Sequence, residues 1–115
     1  MAQPTIDRQQ LLSAVLGGRN VTTVDVRRIS LAPKQRAGRH LHPCPVVGYI
    51  ASGTAYCQIE GEKAELLPVG AAFYEPADRV IADFGNASDL DPMTFIAFYL
   101  LDGDQPLIEM LDREP

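Results

Sequence analysis

The chain has no tryptophan, two cysteines and two histidines in 115 residues, and each scarcity narrows what it can be. Cys44 and Cys57 alone make no disulfide framework of the kind that staples small secreted domains, so free thiols and a cytoplasmic setting are expected. Basic residues are outnumbered, with ten Lys and Arg against fifteen Asp and Glu and a formal net charge of -5. Phosphate backbones demand clustered cations. The one local excess, Arg27, Arg28, Lys34, Arg36 and Arg39, reads as solvated strand and loop surface, so no nucleic-acid partner is expected. Long apolar runs are also missing. The longest, around Phe95 to Leu101, falls far short of the ~20 residues of a membrane span, and no membrane partner is expected. The first residues lack the charged-then-apolar order of a secretory signal.

What remains is a chain with 46% hydrophobic and 22% charged residues, ordinary values for one globular domain over residues 1–115. Thr5 to Leu16 reads as a short amphipathic helix with Ile6, Leu11, Leu12, Val15 and Leu16 on one face, stopped by Gly17-Gly18. Residues 1–18 are therefore assigned as a helical N-terminal segment. From Val24 onward the period changes to two, with Arg27-Arg28 disturbing the alternation as a bulge would.

Turn signals then recur about every 8 to 12 residues, the cadence of a sandwich or barrel. Strands are expected over Arg39 to His42, Val46 to Ala51, Thr54 to Glu60, Lys63 to Leu67, Ala71 to Glu75, Val80 to Phe84 and Met93 to Leu101. The β-barrel is thus placed at residues 20–101 and a C-terminal segment at 102–115, where Gln105 to Leu111 fits a helical turn or a short strand equally well. The class is mainly β.

His40-Leu41-His42 is the feature that carries chemistry. Residues i and i+2 of a strand point to one face, so both imidazoles project together and make half of a first-row metal site. A pair that merely hydrogen-bonds a neighbour or water, with no metal, is the plain alternative.

The stretch Arg39 to Gly53 resembles the first motif of the cupins, the RmlC-like jelly rolls: Gly, five residues, His-x-His, three or four residues, Glu, six residues, Gly. His40, His42 and Gly53 stand in register. The second motif, Gly, five residues, Pro-x-Gly, two residues, His, three residues, Asn, is matched by Gly70 and Pro76, with Asn86 one place late. The resemblance spans roughly Val24 to Leu101 and implies a double-stranded β-helix whose mouth holds the site. It also exposes departures. Val46 stands at the glutamate position, Ile81 at the second-motif histidine, and Lys34 and Asp78 at two of the glycines. Two of the four ligands that the resemblance implies are therefore aliphatic.

Glu75 offers a repair. It shares a strand face with Phe73, and a carboxylate inside a small apolar barrel needs a cation or a proton. With His40 and His42 it would complete a two-histidine, one-carboxylate set suited to Fe, Mn, Zn or Ni. Cys44 is a weaker candidate ligand, since prolines on both sides break the strand. Tyr49, Tyr56, Gln58, Phe73 and Ile81 are the expected pocket walls. The function expected is binding of a small molecule near His40, His42 and Glu75, with or without a divalent metal. A metal-dependent, dioxygenase-like enzyme using His40, His42 and Glu75 is the alternative, and a metal-free isomerase or lyase ranks third. A homodimer is expected from the apolar Thr5 to Leu16 and Met93 to Leu101 segments.

Overall fold

A computed structural model describes residues 3–112. Among these residues the strands, numbered in chain order, are β1 (Thr23–Leu31), β2 (His40–Leu41), β3 (Val46–Ser52), β4 (Ala55–Ile59), β5 (Glu65–Leu67), β6 (Ala72–Glu75), β7 (Ile81–Asn86), β8 (Met93–Leu101) and β9 (Glu109–Met110). They form two antiparallel sheets, in the orders β1-β8-β3-β6 and β5-β4-β7-β2-β9. The sheets face one another without closing into a barrel, because β1 and β6 each have a neighbour on one side only. The closed barrel implied by the sequence is corrected to that open, two-sheet form.

Alternation explains the packing. On β8, Met93, Ala97, Tyr99 and Leu101 are buried while the residues between them are half-buried. On β3, Val46, Gly48 and Ile50 point inward and Tyr49 outward. Two apolar clusters result. Leu31, Ile50, Phe73, Ile81, Phe84 and Met93 belong to the larger, and Cys44, Val46, Ala97, Tyr99 and Leu101 form the smaller. Gly48 has no room for a side chain, since a Cβ there would lie 2.0 Å from the ring of Phe73. Asn86 is buried yet satisfied, its amide donating to the carbonyls of Leu31, Ala32 and Asp91.

Two expectations are corrected. No helix forms among the described residues, so Thr5 to Leu16 is an irregular arm. Isolated helices of that length are marginal in water, and most of its apolar stripe stays exposed, Val15 to 85%. The bulge at Arg27-Arg28 is also absent, because β1 pairs with β8 without a slip from Thr23↔Leu101 to Leu31↔Met93. The alternation looks broken because Asp25 and Arg27 continue the inward face of Ile29 and Leu31 past the core, where they pair ionically at 2.9 Å. Register shifts occur instead at Ile50/Ser52 and Gln58/Ile59. The undecided C-terminal stretch contains the short strand β9, paired to β2.

Candidate metal centre

His40 sits on β2 of the five-stranded sheet with His42 just beyond its end, and Glu75 reaches the same interior from the end of β6 in the four-stranded sheet. All three are buried, Glu75 to 4% exposure. One candidate ligand atom from each lies within 4.8 Å of the others. Glu75 Oε2 stands 2.9 Å from His42 Nε2 and 3.8 Å from His40 Nε2. Donors bound side by side on one ion at about 2.0–2.2 Å stand roughly 3 to 3.5 Å apart, so the set needs only a small adjustment to close on a metal.

The outer nitrogens decide which atoms are free. His40 Nδ1 lies 2.7 Å from the Gly38 carbonyl, and His42 Nδ1 lies 2.7 Å from the Leu107 carbonyl. A carbonyl oxygen only accepts, so each Nδ1 carries the hydrogen. In the neutral rings each Nε2 then presents a lone pair toward Glu75. Oε2 of Glu75 accordingly receives no hydrogen bond from them and is a buried oxygen without a donor. Lone pairs facing a carboxylate at 2.9 Å require a proton or a cation among them. In the metal-free state the proton serves. Burial works against charge on His40, but hydrogen bonds to Glu75 and Gly38 prevail and raise its pKa. Burial likewise opposes ionisation of Glu75, but once the centre takes up that proton its interactions with the neighbouring imidazoles prevail and lower its pKa.

Behind His40 runs a chain of contacts. Gly38 N–H donates to Asp83 Oδ1 at 3.2 Å, and Asp83 Oδ2 accepts from Arg36 at 2.9 Å. The Arg36 guanidinium lies 4.4 Å over the ring of Tyr56, whose hydroxyl donates to Gln58. Asp83 therefore holds Gly38, the residue whose carbonyl orients His40.

The three side chains open on a cavity of about 120 Å³ whose other walls include Ile29, Leu31, Phe73, Phe84, Phe95 and Tyr99. Phe73, Phe84 and Phe95 pack at tilted and edge-on angles with centroids 4.8 to 5.9 Å apart. The structure thus brings His40, His42, Glu75 and Phe73 together. It places the other expected wall residues elsewhere. Tyr49 points outward by strand alternation, Tyr56 and Gln58 lie on the outer face of β4, and Ile81 is sealed in the larger cluster. Cys44 is packed in the smaller cluster, outside the donor group, and burial raises its pKa. Both cysteines are free, and burial pushes Cys57 up to about 12.

Residue-by-residue reading passed over Tyr99, Asp83, Gly38 and Leu107. Tyr99 is buried on the cavity wall, its ring 5.8 Å from that of His42. Its inward direction follows from the alternation Met93, Phe95, Ala97, Tyr99. Nothing local marks the two carbonyls or Asp83.

No protein-family model matches the sequence, and no curated protein does. Solved structures do. A cupin-like protein from Thermotoga maritima superposes with a TM-score of 0.67 at 23% identity, over 76% of this chain and 64% of that one. A protein with a double-stranded β-helix domain from Klebsiella pneumoniae gives 0.63 at 17%, over 78% and 76%. The fold is that of the cupins. A DMSP lyase from Ruegeria pomeroyi shares it, with a TM-score of 0.66 at 15% identity over 76% of this chain but only 42% of the lyase. The chain thus spans less than two thirds of the Thermotoga protein and of the lyase. At such identities the likeness establishes the fold alone.

Within the cupin frame the register accounts for the missing carboxylate. Val46, at the motif's glutamate position, is directly opposite Glu75 in the β3–β6 ladder. Directly opposed residues of antiparallel strands share a face with Cβ atoms about 5 Å apart, so the carboxylate reaches the same interior from the neighbouring strand. Ile81, at the second-motif histidine position, is opposite His40 and has no such substitute.

Proposed function

We propose that this protein binds a small molecule at a divalent metal ion held by His40 Nε2, His42 Nε2 and Glu75. The observation that carries the reading is the buried Glu75 Oε2 with no donor, faced by two imidazoles whose hydrogens are committed to carbonyls. A three-donor set leaves coordination positions open, and the bound ion supplies Lewis acidity to an oxygen donor placed there. The chain's own residues do the rest. Gly38 and Leu107 hold the rings in the ligating tautomer. Phe73, Phe84 and Phe95 exclude water and limit the ligand to a few non-hydrogen atoms, since a liquid water occupies about 30 Å³ and ordinary ligand pockets are about 300 Å³ or more. Tyr99 presents the cavity with a further polar group beside His42. Fe, Mn, Zn and Ni all suit imidazole and carboxylate donors.

The test is metal stoichiometry. Protein purified without chelator and titrated with Zn(II), Mn(II) or Fe(II) is expected to take up about one equivalent, and Glu75→Gln to weaken uptake by about 100-fold or more, beyond the effect of losing an outer-shell partner. Less than about a tenth of an equivalent, unchanged by added metal, would sink the reading. The two-histidine, one-carboxylate set also supports a second reading, a dioxygenase-like enzyme loaded with Fe(II). Oxygen uptake that depends on both Fe(II) and an added small organic substrate separates the two.

A further inference from the structure

We propose that Phe73 sets the length of the molecule this site accepts, by closing its small cavity off from a second, larger one beneath the open seam between the sheets. The inference rests on the reading that a small molecule binds beside His40, His42 and Glu75, but it does not require the ion.

The seam follows from the topology. β5 and β6 are edge strands, one in each sheet, and they do not pair with one another. Between them lies a cavity of about 250 Å³, larger than the one that the imidazoles face. Its inner walls include Cys57 and Ile59 from β4 and Leu67 from β5. Alternation aims all three inward, because buried Ala55 is opposite Leu67 in the β4–β5 ladder and Cys57 and Ile59 continue the face of Ala55. The exposed Glu62, Lys63 and Glu65 mark where this cavity opens to solvent.

Among the described residues Phe73 alone lines both cavities. It shares the inward face of β6 with Glu75, two residues or about 7 Å back along the strand, so its ring stands directly behind the carboxylate. The ring is 6% exposed, lies over Gly48 and meets Phe84 and Phe95 with centroids 5.2 and 5.9 Å away. Held on three sides, it is a fixed wall. The wall is also thin: burial, and then the charge of Glu75, push the thiol of Cys57 up to about 12 from the seam side.

With the ring in place the inner cavity has room for roughly four non-hydrogen atoms, at the ~30 Å³ of a liquid water. Without it the two spaces join and pass the roughly 300 Å³ at which ordinary ligand pockets begin. The space gained is walled by apolar side chains, so it suits an unbranched hydrocarbon chain carried behind an oxygen head group. Each methylene buried there should tighten binding by about fourfold.

Nuclear magnetic resonance of the untagged chain tests this, because its two histidines are His40 and His42 and their ring signals report on this cavity. Zn(II) is added first. Rings indifferent to it would count against the metal reading and not against this one, which the same series in chelator then decides. The probes are the straight-chain primary alcohols from ethanol to octanol. In the unaltered protein the response is expected to end near butanol. In Phe73→Ala it should extend to hexanol and beyond, with hexanol bound at least about tenfold more tightly than by the unaltered protein. Phe73→Leu fills more of the space, which keeps the test open if Phe73→Ala unfolds, and should give a smaller shift in the same direction. Adding Ile59→Phe to either variant refills the seam cavity and should bring the limit back toward butanol. Octanol bound by the unaltered protein as tightly as butanol would overturn the proposal. So would an unchanged limit in the Phe73 variants, a long reach that survives Ile59→Phe, or rings that no alcohol moves in any of these proteins.

Discussion

Lys34 and Asp78 occupy two of the positions where the cupin motifs carry glycine, and both hold left-handed backbone, with φ of 66° and 64°. Aspartate tolerates this region through local hydrogen bonding, whereas lysine takes most of the steric cost of about 1–2 kcal/mol. Glycine loosens the unfolded chain by about 0.4–1 kcal/mol, so Lys34→Gly should stabilise the protein by up to about 1 kcal/mol, read as a higher urea midpoint with an unchanged slope. Asp78→Gly should change little. At the centre itself, Asp83 acts on His40 from behind, by holding the N–H of Gly38, whose carbonyl bonds the ring, and by its negative charge. Asp83→Asn is expected to weaken metal binding by about 10-fold, at the lower end of outer-shell effects, with little change in circular dichroism. A competition titration against a chromophoric chelator checks it.

Among the elements, β3 and β6 show how narrowly the cavity wall is built. Gly48 on β3 faces Phe73 on β6 across the ladder and leaves the space that the ring occupies. Gly48→Ala should displace Phe73 and cost about 1–3 kcal/mol, and the double variant with Phe73→Leu should recover part of the loss, a coupling that thermal unfolding of the four proteins measures. These strands were legible from the sequence because period two survives wherever one face is buried. Met93–Leu101 carries the bounds that its apolar run implies, and Phe73 and Glu75 share the inward face that alternation assigns. The arm was misread for the complementary reason. Its helical period is real in the sequence, but a period becomes a helix only when something covers the stripe. The site was half legible: imidazoles two residues apart can be seen in a line of text, while the Leu107 carbonyl, 65 residues from His42, is a product of topology.

For the whole molecule, the buried charges set a dependence on pH. Glu75 has its pKa lowered by folding, so its contribution is present above the ordinary glutamate value of about 4.3 and lost as pH falls through the lowered one. His40 has its pKa raised, so its contribution is complete below about 6.5 and lost as pH rises through the raised value. The metal-free protein should therefore gain most from this centre between about pH 4.3 and 6.5. Metal reverses the upper limb, because it needs the neutral imidazole. Thermal unfolding in chelator and in Zn(II), followed upward from pH 6, should show two curves that diverge as the chelated protein weakens; parallel curves would contradict this.

The hydrogen bond from His42 to Leu107 also ties the centre to the end of the chain. Ile108 lines the same cavity, and β9 follows directly to pair with β2. Whatever steadies the His42 ring steadies the tail, and by the reciprocity of linked equilibria a tail that peels away loosens the ring. On the proposed reading the centre would act as a latch: an ion bound there would favour the docked β9, and undocking of β9 would lower the affinity for the ion by the same factor.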